Sequence, residues 1–139
     1  MNAIHKIISS YQCPSSRNFQ HLTVLHILKK IKKTGATLKL KDLEIQLVLN
    51  EAISNAMEHG NNWDINKMVT TSVEKCFKGF CVKIHDDGDG FSYLNLPIKR
   101  DNYHLRGRGI NIIQYYCECN WNEKGNEITV LFETSAFTP

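Results

Sequence analysis

Two stretches near the start of the chain carry apolar residues at helical spacing. Over residues 19–33 they recur every three positions, which predicts a helix that Gly35 ends. A second helix is predicted over residues 43–59, with Asp42 as its N-cap and Gly60 as its stop. The apolar positions that predict the first helix are Leu22, Leu25, Leu28 and Ile31.

Five other short stretches have the composition and alternation of strands. A third helix is predicted to start near Gly109, and residues 92–105 have little periodicity, which is typical of a long loop or lid. This order predicts an α+β fold, a two-layer sandwich with helices on one face of a mostly antiparallel, mixed sheet. The predicted strands are His5–Cys13, Met68–Cys76, Phe80–Asp86, Cys117–Trp121 and Glu127–Glu133.

Length and composition indicate one globular domain that spans residues 1–139. The apolar fraction of 42% and the charged fraction of 22% are ordinary, and a net charge of +3 is too small to indicate nucleic-acid binding. No apolar run approaches the roughly 20 residues of a membrane span, and the start of the chain lacks the apolar segment of a signal peptide. We therefore expect a cytoplasmic protein that contacts neither nucleic acid nor membrane directly.

The cysteines and a run of lysines add little to this picture. The cysteines are odd in number and no two have C-x-x-C spacing, so we expect reduced, mostly structural thiols. The four lysines within residues 29–33 suit the C-terminal end of a helix, either as a solvated helix end or as a surface for an acidic partner. The cysteines are Cys13, Cys76, Cys81, Cys117 and Cys119.

The second predicted helix carries a line of residues at four-residue intervals, from Leu43 and Leu47 to Glu51, Asn55 and His59. The two leucines indicate that this line faces the core. Glu51 and Asn55 are then expected to point toward the sheet, where an unpaired carboxylate is costly. Asn55 offers an oxygen ligand for magnesium, and Glu51 offers a group that orients or deprotonates a nucleophile. The alternative is a helix whose polar face simply runs through these positions.

The third predicted strand ends in an acidic, glycine-rich turn. Positions 80, 82, 84 and 86 share one face, so Asp86 ends an inward-facing apolar row. A carboxylate there can accept a hydrogen bond from an exocyclic amine such as that of adenine. Gly88 and Gly90 permit positive φ and close approach of the backbone to a ligand. The alternatives are a tight acidic turn or a calcium loop, but no Glu follows at the distance that a calcium loop requires.

The segment Arg106-Gly107-Arg108-Gly109 opens the third predicted helix. Free N–H groups at a helix N-terminus, with two cations and mobile glycines, suit an anion; the alternative is a basic turn. The chain has no G-x-x-x-x-G-K-[ST] sequence, and these glycines follow a loop rather than a strand. Walker and dinucleotide-binding patterns are therefore not matched.

In this order the three motifs resemble those of the GHKL or Bergerat-fold ATPases, which have a histidine-kinase-like ATPase fold. Glu51-x-x-x-Asn55 resembles their N-box, Asp86-x-Gly88-x-Gly90 their first glycine box, and residues 106–109 their second. Within the superfamily the chain resembles the small bacterial anti-sigma factor serine/threonine-protein kinases along essentially its whole length. It departs from them at Asn126, where a Thr often follows the Gly, and at Asn50, where a Ser is common.

The resemblance implies a role for each motif residue. Glu51 would be the catalytic base that activates a substrate hydroxyl, and Asn55 would ligate the Mg²⁺ that bridges the phosphates of ATP. Asp86 would hold the adenine amino group. His59 would lie near the phosphates, the alternative being a surface His at the helix end. The other nucleotide-binding residues would be Gly88, Gly90, Arg106, Gly107, Arg108 and Gly109.

The same resemblance implies an ATP-dependent kinase that phosphorylates an anti-anti-sigma antagonist protein and binds a sigma factor or another regulator. Relatives commonly pair, so a homodimer is expected. One alternative is an ATP-regulated protein-binding module with negligible phosphoryl transfer. Another is an ATP-hydrolysing domain of the gyrase or mismatch-repair kind, for which 139 residues leave no room for a transducer domain.

Overall fold

The computed structural model of the protein describes residues 6–90 and 105–135, with only the backbone of residues 105–108. The described strands are β1 (Lys6–Pro14), β2 (Met68–Lys75), β3 (Gly79–Asp86), β4 (Glu118–Trp121) and β5 (Glu127–Glu133). The described helices are α1 (Arg17–Lys32), α2 (Asp42–Ser54) and α3 (Leu105–Tyr116), and a π-helical turn (Asn55–Gly60) follows α2 directly.

The strands form one sheet in the order β1-β2-β3-β5-β4, and every described pair is antiparallel. The core lies between one face of this sheet and the helices, which pack on each other and on β1–β3. The predicted α+β sandwich is therefore confirmed. The inward row of β3, also as predicted, is formed by the buried residues Phe80, Val82, Ile84 and Asp86.

The face that α1 buries differs from the predicted one. Leu22 and Leu25 are exposed, whereas Leu28 and Ile31 are buried as expected. The helix is rotated so that four apolar residues and a threonine fill the core, and Leu22 and Leu25 remain on the solvent side. The buried residues of α1 are Thr23, Val24, Ile27, Leu28 and Ile31.

The prediction that Leu43 and Leu47 mark the core side of α2 is wrong. Leu43 is 79% exposed and Leu47 is 39% exposed. Five other apolar residues of α2 face the core instead, because burying them removes more apolar area from water than burying the two leucines would. Glu51 therefore lies on the flank of α2 that faces α3, whereas Asn55, at the start of the π-helical turn, faces both α3 and the end of β3. The buried residues of α2 are Ile45, Val48, Leu49, Ala52 and Ile53.

Two helix starts also differ from prediction. The N-cap of α2 is Lys41 rather than Asp42, and the Lys41 N–H donates to Glu44 Oε1 at 2.8 Å. α3 begins at Leu105 rather than near Gly109, so the first three residues of the second glycine motif lie in its first turn. The predicted lid lies outside the described residues except for Leu105.

Different segments of the chain lie at the two ends of the sheet. At one end α1 finishes, α2 starts and the β2–β3 turn packs against the chain after β5, where the Thr134 N–H donates to the Lys78 carbonyl at 3.0 Å. At the other end β3 finishes at Asp86. No helix in the described part of the chain is long and apolar enough to cross a membrane.

Candidate active site

Asp86 sits at the base of a groove between the end of β3 and the end of α2. Its side chain is buried, with 6% of the residue exposed, and Asp86 Oδ1 accepts the Gly88 N–H at 2.8 Å. Its backbone N–H donates to the Asn126 carbonyl at 2.9 Å. The first bond holds the carboxyl group and the second holds the backbone that carries it. The carboxyl group is therefore positioned in advance, as recognition of a ligand by hydrogen bonding requires.

Two glycines allow the end of α2 to pack directly on this carboxyl group. A Cβ atom on Gly60 would collide with the Asp86 carboxyl group, and one on Gly88 would collide with the Gly60 carbonyl. The sequence predicted Gly60 only as a helix stop. In the structure its missing side chain lets the π-helical turn approach Asp86, which is the close backbone approach that glycine permits.

This contact predicts the effect of Gly60→Ala. In an ordinary helix that change stabilises a protein by up to about 1 kcal/mol. Here the methyl group meets the Asp86 carboxyl group, so we expect destabilisation by about 1–3 kcal/mol, as for overpacking, together with weaker nucleotide binding. Urea unfolding and a nucleotide titration check the two effects. A more stable variant with unchanged binding would contradict the assigned contact.

Asn61 connects several segments at this end of the molecule by hydrogen bonds. The sequence did not indicate this role. It is fully buried, and its Nδ2 donates to Ser15 Oγ at 2.9 Å and to the Met68 carbonyl at 3.0 Å. Its Oδ1 accepts the Asp87 N–H at 2.8 Å. Because these bonds reach Ser15 just after β1, the start of β2 and the turn after β3, Asn61 holds the glycine-rich turn beside the end of the π-helical turn.

The β4–β5 turn closes the groove on the side opposite α2. Asn126 Nδ2 donates to the Asp86 carbonyl at 3.2 Å, and Asn122 Nδ2 donates to Asn126 Oδ1 at 2.7 Å. Asn122 Oδ1 also accepts three backbone N–H groups of the turn. Asn126 therefore supports the main chain of Asp86 with its side chain. Gly90, with φ of +85°, packs against the Lys124 carbonyl of the same turn, as its predicted positive φ allows.

The resulting groove is narrow, with a cavity volume of about 20 Å³, which is room for about one water molecule and lies far below the range of about 300–1,000 Å³ for small-molecule sites. Apolar side chains form its walls and Asp86 and Asn126 contribute polar groups. Trp121 was not predicted as a site residue, since an aromatic residue on a terminal strand reads as core. The lining is Ala52, Asn55, Ala56, Ile84, Asp86, Trp121, Gly125, Asn126, Glu127 and Ile128.

A second groove lies on the other side of Asn55, between α2 and α3. It is lined by Glu51, Asn55 and His59 of the predicted line, together with Ser54, Glu58, Gly109 and Ile112. A Cβ atom on Gly109 would lie 2.7 Å from Glu51 Oε1 and 3.4 Å from the Asn55 carboxamide. The glycine therefore lets α3 lie close against both polar side chains.

The position of α3 changes the expected use of its glycine motif. Because the helix begins at Leu105, the N–H groups without helical partners belong to residues 105–108, and Gly109 lies one turn further in. The first turns of α3 still lie beside the end of α2, since Gly109 is next to Glu51 and Asn55, and the partial positive charge at a helix N-terminus favours an anion. The side chains of Arg106 and Arg108 lie outside the described residues.

Asn55 joins the two grooves, since it lines both. It is also the first residue of the π-helical turn, and such turns occur frequently at functional sites. His59 lies in the same turn, with its Nε2 atom 4.0 Å from Glu58 Oε1. The structure thus brings the N-box, the first glycine box and Gly109 to one end of the molecule.

The second groove offers oxygen donors but no complete metal cage. Among residues 6–90 and 105–135 no group of three or more His, Cys, Asp or Glu side chains could hold a metal ion. Mg²⁺ is usually held by one or two protein oxygens while phosphates and water complete its shell. The Asn55 carboxamide, in the same groove as Glu51, fits that pattern.

The comparison with protein families agrees with this geometry. The model of the histidine kinase-like ATPase domain family matches residues 15–132, which include α1, α2, both glycine motifs and nearly all of β5. Among curated proteins no significant match is found. Since the family match covers most of the chain, the protein belongs to the histidine kinase-like ATPase domain family.

Proposed function

We propose that this protein is an Mg²⁺- and ATP-dependent serine/threonine-protein kinase of the anti-sigma type. The observation that carries the proposal is the adjacency of the two grooves, which share Asn55. One groove has a buried carboxyl group at its base. The other has Glu51 and Asn55 facing the N-terminal part of α3.

In this proposal the first groove widens to take the adenine base. Asp86 accepts the hydrogen bond from the exocyclic amine, while Ile84 and Ile128 supply apolar walls. A buried acceptor discriminates against a base that lacks the matching donor, because an unpaired buried polar group costs about 1–3 kcal/mol. Guanine carries a carbonyl oxygen where adenine carries its amine, so Asp86 selects for adenine.

The second groove takes the phosphates and their Mg²⁺. Asn55 would hold the metal, and the backbone N–H groups at the start of α3 would bind phosphate oxygens. When bound, Mg²⁺ neutralises charge on the phosphates and orients them. Glu51 lies in the same groove and would align the acceptor hydroxyl and take its proton. Phosphoryl transfer depends mainly on positioning and charge neutralisation, which these groups provide.

The role of Asn55 predicts a metal-dependent defect. Asn55→Ala should weaken nucleotide binding in Mg²⁺ more than binding measured with a chelator, because it removes the oxygen ligand and leaves the Asp86 carboxyl group in place. Ser54→Ala is a matched control, since Ser54 lines the same groove. Calorimetric titration with ATP under both conditions measures the difference. Equal losses with and without Mg²⁺ would contradict the role of Asn55.

The proposed acceptor is a serine or threonine of a small antagonist protein of the anti-anti-sigma type, and the competing partner is a sigma factor or another regulator. Both proposals, and pairing of two copies of the chain, rest on the family resemblance. The lysines of α1 lie at the opposite end of the molecule from Glu51, because α1 ends where α2 begins. They are therefore not part of the site at which an acceptor hydroxyl would meet ATP.

An ATP-regulated binding module is the alternative function. Incubation with γ-labelled ATP and candidate antagonist proteins distinguishes the two. Label that appears on a serine or threonine of the antagonist supports the kinase. Saturable ATP binding that alters affinity for the antagonist without transfer supports the module.

A further inference from the structure

A pair of cysteines lies at the end of the sheet away from both grooves. The sulfur atoms of Cys76 and Cys81 are 3.1 Å apart across the β2–β3 hairpin. Cys81 pairs with Glu74, and the Cys76 N–H donates to the Gly79 carbonyl at 2.8 Å. The two thiols therefore lie diagonally on one face of an antiparallel hairpin, and the hairpin's own hydrogen bonds hold them together.

This arrangement needs little change to form a disulfide. A disulfide has an S–S length of about 2.0 Å, so the two sulfur atoms would have to approach by roughly 1 Å. The strands around them are already paired, and the turn between the cysteines has only four residues. The entropy lost on closing so short a loop is small.

The two thiols differ in access to solvent, and the pKa of the Cys81 thiol is raised. Cys76 lines an open groove together with Gly35, Phe77 and Ser135, and Phe77 at the tip of the turn is 91% exposed. Burial, followed by the hydrogen bond with Cys76, raises the pKa of Cys81 to about 12. Cys81 is therefore a poor initial nucleophile, and Cys76 is the thiol that a small oxidant reaches first.

We propose that Cys76 and Cys81 form a reversible dithiol–disulfide modification site that reacts with small disulfide oxidants of the glutathione class. The Cys76 thiolate attacks one sulfur of glutathione disulfide and releases one glutathione thiolate. The Cys81 sulfur then attacks Cys76 in the mixed disulfide and releases the second glutathione thiolate. Two protein thiols are oxidised, one glutathione disulfide is reduced, and the two protons pass to the glutathione products.

The site is distinct from the proposed catalytic function. Cys81 and Asp86 lie on the same strand, five residues apart, which is about 16 Å along an extended chain. Closing the disulfide would fix the turn that carries Phe77 without moving the Asp86 groove. Nucleotide affinity is therefore expected to be the same before and after oxidation.

The other described thiols supply controls. Burial raises the pKa of Cys117 to about 12 and that of Cys119 to about 11, so both stay protonated at neutral pH. They are close enough to interact, since Cys119 contributes to the raised pKa of Cys117. The Cys117→Ser/Cys119→Ser double variant removes this competing pair and leaves the hairpin unchanged.

The test is oxidation of the full chain with glutathione disulfide followed by tryptic mapping. Trypsin cleaves after Lys75, Lys78 and Lys83, so the disulfide would link residues 76–78 to residues 79–83. We expect an intact mass lower by about 2 Da, this linked peptide pair, and reversal by dithiothreitol. The wild type and the double variant should give the same linked pair, and Cys81→Ser should retain glutathione on Cys76.

A stable glutathione adduct on Cys76 of the wild type, or a disulfide that joins Cys117 to Cys119 instead, would overturn the proposal. The wild-type map alone decides between these results, whether or not the serine variants fold. Thermal unfolding of each variant shows which of them are folded and suitable for comparison.

Discussion

Replacing Glu51 by Gln should abolish most phosphoryl transfer while ATP still binds. Glu51 lies against Gly109 in the groove between α2 and α3, and the substitution keeps its size but removes its ability to accept a proton. General base catalysis contributes roughly 10²- to 10⁴-fold to a rate, so a loss of that order is expected. The measurement is the initial rate of label transfer from γ-labelled ATP to the antagonist, alongside an ATP titration.

Glu58→Gln is the matched control for this prediction, because it removes the same charge from the lining of the same groove. It should keep most of the transfer rate. If both variants lose transfer equally, the groove requires negative charge in general, and Glu51 is not the base. If Glu51→Gln transfers phosphate at the wild-type rate, the kinase mechanism proposed for this residue is wrong.

Replacing Asp86 by Asn should erode the preference for ATP over GTP. The carboxylate is buried and positioned by the Gly88 N–H, so a charge-assisted hydrogen bond to the adenine amine would be lost. Hydrogen bonds to charged groups contribute about 1.5–3 kcal/mol, which corresponds to roughly 10- to 150-fold in Kd for ATP. The Kd for GTP should change much less, because guanine has no amine at that position.

Asp89→Asn is a close control, since Asp89 belongs to the same turn but is exposed. Its ATP affinity should match the wild type. Competition of ATP and GTP for a fluorescent nucleotide measures the discrimination of both variants. Unchanged discrimination in Asp86→Asn would remove Asp86 from base recognition.

The parts of the fold that follow from local alternation could be read from the sequence. The inward row of β3 is an example, because side chains alternate along any strand and Asp86 therefore had to follow Ile84 to the same face. The hairpin of β4 and β5 was also predicted, with a one-residue difference at Cys117. Such features depend on nearest neighbours alone, and tertiary packing did not override them.

The face of a helix is decided by competition and is harder to predict. Leu43 and Leu47 are apolar and one turn apart, yet the larger set around Val48 and Ile53 packs on the sheet. This rotation moves Glu51 from the expected core position to the flank beside α3. Glu51 still belongs to the candidate site, because α3 packs against the same flank of α2. Only the tertiary structure shows this contact.

Residues that act through backbone contacts left no mark in the sequence pattern. Asn61 and Asn126 each bridge segments far apart in the chain, and an asparagine after a helix or in a turn has many ordinary explanations. Gly60 likewise reads as a helix stop until the Asp86 carboxyl group is found against it. The assignment of these residues to the site is a result of the structure.

The most direct test of the account is an NMR titration of the ¹⁵N-labelled protein with Mg²⁺ and ATP. We expect saturable shifts of the backbone amides that line the two grooves, with those of Gly60, Gly88 and Asn126 among the largest. Amides of the β2–β3 turn around Phe77 should remain unchanged. No saturable shift, or shifts centred on the β2–β3 turn, would contradict the assignment of ATP to this end of the molecule.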